Sequence, residues 1–192
     1  MENEELQQAR TNPEFLAYLD TREKEVIEDK NIAGLYEVLD TLLVLDLDHS
    51  RINKVYEEIL KVSFDNIEQR LQNDKKLDIN TDDIYFIRSF YEHAIEKWSV
   101  LDFKGAKELF FILTQIVEDS KLVDAFNIHL LSCSKKLDMD TFYDKKVIHD
   151  HTDSEDRYGY FITHFQFDIE DYMKTNKELL EKEYKALEHL LK

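Results

Sequence analysis

Two histidines one residue apart, His149 and His151, stand among Asp150, Asp153, Glu155 and Asp156. In an extended segment, side chains two positions apart point the same way, so these imidazoles can converge on one ion while carboxylates complete its shell. Zinc, nickel or iron would suit such a mixed nitrogen and oxygen set. His164 is a candidate third nitrogen, so the metal reading names His149, His151, Asp153 and His164. Against it stands the plainer reading of a solvated acidic loop with no cysteine nearby. The same mixture could answer to pH, because a carboxylate beside an imidazole raises its pKa.

Other residues of the right type fall at less useful spacings. His129 and Cys133 are one helical turn apart in an apolar stripe, where a buried histidine bonded to backbone is the commoner outcome than a Cys–His nucleophile. Glu92 and Glu96 share one side of a helix, while His93 points about 100° away from Glu92. Asp46, Asp48 and His49 lie at a helix junction, where carboxylates serve as caps. No Glu-x-x-His pair of a di-iron bundle occurs, and Gly34, Gly105 and Gly159 are too isolated for a phosphate loop. A different kind of candidate is Tyr158-Gly159-Tyr160-Phe161 with Phe165 and Phe167. These aromatics offer large contact area at low entropy cost, so Tyr158, Tyr160, Phe161, Phe165 and Phe167 are the candidate partner-binding residues. The competing expectation is that they fill a seam against the last helix.

The elements around these residues read as helices. From Asp82 to Asp119, Ile84, Ile87, Tyr91, Ile95 and Trp98 recur at helical spacing, as do Phe103, Ala106, Phe110, Leu113 and Val117 after a break at 99–102. The stripes are too wide for one partner to cover, which places this hairpin at the centre of the fold. Ala94, Asp102-Phe103, Ala106 and Phe110 resemble part of a tetratricopeptide unit, in which small residues let two helices approach. That resemblance implies a helical hairpin and no array, since a shift of 34 residues sets Asp124 and Ile128 where Phe90 and Ala94 stood. Helices are also expected over about 13–29, 32–45, 50–72, 120–136, 139–148 and 168–192. Residues 161–167 alternate Phe161, Thr163, Phe165 and Phe167 with Ile162, His164 and Gln166, a period of two that predicts an extended piece.

Composition bounds the whole. The 192 residues are 43% apolar, with three Gly and one Pro, enough for a core and too few turn residues for a sandwich or barrel. The expected fold is all-α: an irregular multi-helix bundle or solenoid-like stack of about seven helices with one short extended segment near 160–167. A single domain over 1–192 would comprise a helical body at 12–148, an acidic His-containing loop at 149–160 and a C-terminal helix at 168–192. With 42 acidic and 25 basic residues the formal charge is −17, which repels nucleic acid and anionic membranes. One cysteine, the acidic start Met-Glu-Asn-Glu-Glu and the lack of any apolar run near the roughly 20 residues of a membrane span predict a cytoplasmic protein. The functional expectation is a non-enzymatic helical interaction module, an adaptor, regulator or chaperone, holding a protein partner with a basic surface. The alternative is a metal-binding or metal-sensing protein using the His149/His151 loop. Either is compatible with a homodimer to which the C-terminal helix contributes.

Overall fold

Helix starts follow the capping chemistry written into the chain. The Asn12 side chain accepts the N–H groups of Glu14 and Phe15 at 2.9 and 3.2 Å, and Pro13 opens the helix where its missing N–H costs nothing. Asn31, Asp102, Asp119, Asp138 and Asp168 cap in the same manner. The computed structural model describes residues 2–73, 75–149 and 156–191. Among them run ten α-helices: α1 Glu2–Thr11, α2 Pro13–Glu28, α3 Ile32–Val44, α4 His49–Gln72, α5 Asp83–Ser99, α6 Phe103–Ile116, α7 Ser120–Ser134, α8 Met139–Lys146, α9 Ile169–Thr175 and α10 Lys177–Leu187. No strand forms among the described residues, and no described helix is long and apolar enough to cross a membrane.

The all-helical class therefore stands, while the count of about seven does not. Residues 2–11 add a helix of their own, and the expected helix over 168–192 is broken. At Asn176 the side-chain Nδ2 donates to the Tyr172 carbonyl at 2.7 Å and the backbone leaves helical angles, at φ −106° and ψ 12°. Asparagine competes with its own helix in this way, and the break produces two short helices where one was expected. The expected extended segment is also corrected. Its alternation survives as burial, with Phe161, Thr163 and Phe165 inside, but it pairs only through one antiparallel bridge between Val147 and Phe165. Ile148 N–H donates to the His164 carbonyl at 3.1 Å and Gln166 N–H to Lys146 at 2.8 Å. The facing chain at Val147 leaves helix α8 only one residue earlier, too short a stretch to build a strand.

Four helices end in a shared geometry. Lys30, Asp46, Leu101 and Lys136 take left-handed φ angles of 51°, 48°, 63° and 55°. In each case the next residue's N–H reaches back to the last turn: Asn31 to Val26, Leu47 to Leu42, Asp102 to Lys97 and Leu137 to Ser132, all at 2.8–3.1 Å. These are Schellman closures made without glycine. Asn31 and Asp102 close one helix and cap the next, which turns α2 into α3 and α5 into α6 with almost no loop.

By its internal contacts the chain divides into Met1–Glu68 and Gln69–Lys192, a division that falls within α4. In the first unit Leu35, Tyr36, Leu39, Leu42, Val55 and Ile59 are buried. Gly34 lets α3 approach α2, since a Cβ there would lie 2.5 Å from Val26 Cγ1. The second unit is built on the expected hairpin, with α5 and α7 packed on α6. Its core is aromatic: Phe90, Trp98, Phe110, Phe111, Phe126 and Phe142 are fully buried. The Trp98 indole N–H donates to the Leu137 carbonyl at 2.7 Å, so the largest side chain is anchored as well as packed.

Candidate functional site

His129 sits at the hub of the second unit's core. Its ring lies 5.1–5.9 Å from those of Tyr91, Trp98, Phe110, Phe142 and Phe165, and its Nδ1 faces the Ala125 carbonyl of its own helix. Nε2 has no hydrogen-bond partner among the described residues. Burial, partly offset by the Ala125 bond, lowers its pKa to about 4, so the imidazole is neutral at physiological pH. Burial likewise pushes the Cys133 thiol up, opposite to what a nucleophile requires. The His129 and Cys133 spacing thus builds core.

Each candidate aromatic can now be placed. Tyr158, Phe161 and Phe165 are buried in the second unit. The Tyr158 hydroxyl donates to Asp119 Oδ2 at 2.8 Å, while Oδ1 of the same carboxylate caps α7. Phe161 packs edge-on against Tyr91 at 5.2 Å, and the Tyr91 hydroxyl accepts the Ile162 N–H at 3.0 Å. Phe165 closes over His129 and Phe142. Tyr160 is 43% exposed, with the Arg88 guanidinium 4.2 Å from its ring centre. Phe167 is half-buried and stacks between Phe165 at 5.4 Å and Tyr172 at 4.4 Å. Tyr160 and Phe167 are the accessible members of the five.

The metal candidates are only partly within view. His151 and Asp153 lie outside the described residues. His149 is exposed, its ring against Tyr143 at 4.6 Å. His164 stands one residue from it across the Val147–Phe165 bridge, yet its Nε2 is 3.5 Å from the Lys121 ammonium and its Nδ1 3.2 Å from the Thr163 hydroxyl. Among the described residues no three His, Cys, Asp or Glu side chains gather as a metal shell.

Two open grooves flank the break at Asn176. One, of about 380 Å³, is lined by Lys135, Phe167, Asp168, Asp171, Tyr172 and Asn176. The Lys135 ammonium lies 4.8 Å from the Tyr172 ring centre and 3.3 Å from its hydroxyl. The other, of about 650 Å³, is mostly apolar and lined by Met173, Lys174, Lys177, Leu180, Glu181 and Tyr184.

No known protein family, curated protein or solved structure matches this chain. The surface chemistry must therefore carry the functional argument. Sequence reasoning found Phe167 but missed Asp168, Asp171 and Tyr172 as its neighbours, because a single helix over 168–192 would turn Tyr172 inward with Ile169 and Met173. Thr175-Asn176, two poor helix formers in a row, was the available signal for the break.

Proposed function

We propose that the chain is a helical protein-interaction module that receives a basic segment of a partner protein in the groove lined by Phe167, Asp168, Asp171 and Tyr172. The observation that carries this reading is chemical. The outer face of the Tyr172 ring, backed by Phe167, stands beside two carboxylates, Asp168 and Asp171, and a lysine of the chain itself already rests against it. An aromatic face attracts a desolvated cation, and the carboxylates pair with the remaining N–H donors of a Lys or Arg. The partner's side chain would displace Lys135. The charge of −17 supports the same partner at long range, since it steers a basic surface toward the protein and turns polyanions away. The aromatic character of 158–167 supports a division of labour. Tyr158, Phe161 and Phe165 brace the segment so that Phe167 is held at the rim.

A Lys/Arg-rich model peptide added to the isotope-labelled full chain tests this. Amide shifts concentrated at Phe167, Asp171, Tyr172 and Asn176, and lost on Asp171→Lys, support the reading. Shifts spread evenly over acidic surface, or shifts that Asp171→Lys leaves unchanged, overturn it.

A further inference from the structure

The apolar groove beside α10 needs an occupant of a different kind. Its residues Met173, Lys177, Leu180 and Tyr184 are spaced four, three and four apart, the spacing of a seam between two helices. Lys174 and Glu181, seven apart, flank that seam on one side. From these positions, Met173 and Lys174 on α9 and the rest on α10, we infer that the groove is closed by the same face of a second copy, the two α9–α10 segments running antiparallel about a two-fold axis.

The register follows from the spacing. Laying the face antiparallel on itself sets Met173 against the second copy's Tyr184 and Leu180 against its Lys177, with the mirror contacts at the other end. The Lys177 stem covers Leu180 while its ammonium stays by its own Glu181, 3.8 Å away. In this register Lys174 of each copy stands beside Glu181 of the other, so their shared flank carries two pairs of opposite charge. A parallel arrangement would part these pairs and set Lys177 against Lys177. The charge of −17 on each copy opposes association at long range, but the Debye length at physiological ionic strength is about 8 Å, and the flanking pairs lie well inside it. This inference is independent of the groove at Phe167 and Tyr172, which shares none of these residues.

Sedimentation equilibrium of the full chain at physiological salt tests it. The wild type associates to a dimer, Leu180→Asp abolishes the dimer, and Lys174→Glu or Glu181→Lys each weaken it by about tenfold. The double swap of Lys174→Glu with Glu181→Lys restores the affinity to within about threefold, because it returns opposite charges to both pairs. Helical content by circular dichroism shows that each variant remains folded. A wild type that stays monomeric at ~0.1 mM overturns the inference. So does a dimer that Leu180→Asp leaves intact, or a double swap no better than its singles. A monomeric chain that loses a different bound protein on Leu180→Asp also overturns it and assigns the groove to that protein.

Discussion

The Tyr91 hydroxyl oxygen accepts the Ile162 backbone N–H at 3.0 Å, joining the centre of α5 to the irregular segment that carries the aromatics. Tyr91 is buried among Phe110, Phe126, His129 and Phe161, and burial drives its phenol pKa upward, so the hydroxyl stays protonated. Tyr91→Phe keeps the ring and strands the N–H. The expected cost is about 1–3 kcal/mol in urea unfolding, with hydrogen exchange accelerating first at Ile162. Unchanged exchange at Ile162 would show that the bond does not hold the segment.

His129 gives the second unit a specific acid sensitivity. Its folded pKa, about 4, lies below the usual 6.5, so between these values the unfolded chain binds a proton that the folded chain refuses. The stability it supports is full above pH 6.5 and is lost as pH falls toward 4. His129→Leu should remove about 3 kcal/mol of the pH dependence across that window relative to wild type, the carboxylates being common to both. Parallel stability curves for the two proteins would contradict the assignment.

Leu101 occupies the left-handed position that closes α5, at φ 63° and 57% exposed. A side chain there costs about 1–2 kcal/mol of local strain that glycine avoids. Leu101→Gly should therefore raise the melting temperature, and Leu101→Val, β-branched, should lower it. The opposite order would mean that the exposed leucine is held by contacts of its own.

In the first unit, Glu23 is the buried end of a charge cluster. Its Oε2 lies 2.5 Å from Arg51 Nε, whose guanidinium also approaches Asp20 at 2.8 Å. Glu23→Gln keeps the shape and removes the charge, with an expected loss of about 1–3 kcal/mol read by thermal unfolding. A loss below about 0.5 kcal/mol would place this pair with ordinary surface ion pairs.

The helical class and the central hairpin were legible because wide apolar stripes and Asp102 as a cap are local signals, and packing followed them. The break at Asn176 left only a weak signal, the poor helix formers Thr175 and Asn176 in a row. The effect of Asn176 depends on a side-chain bond to Tyr172 that competes with an otherwise good amphipathic run. Residues 161–167 were legible as alternating but do not form the regular extended segment expected, since alternation reports which faces are buried and not whether a neighbouring chain supplies a ladder. Of the candidate partner-binding aromatics, Tyr160 and Phe167 stay accessible. Asp168 and Asp171, at the start of α9, were hidden among many similar carboxylates.

The most direct test replaces Thr175, exposed at the edge of the same groove, with a photo-crosslinking amino acid in the full chain and irradiates it in its native cell, with the exposed Lys104 position as control. A basic protein captured in stoichiometric yield from position 175 and absent from position 104 is the predicted result. Equal labelling at both positions, or a position 175 product that is not basic, would contradict the account.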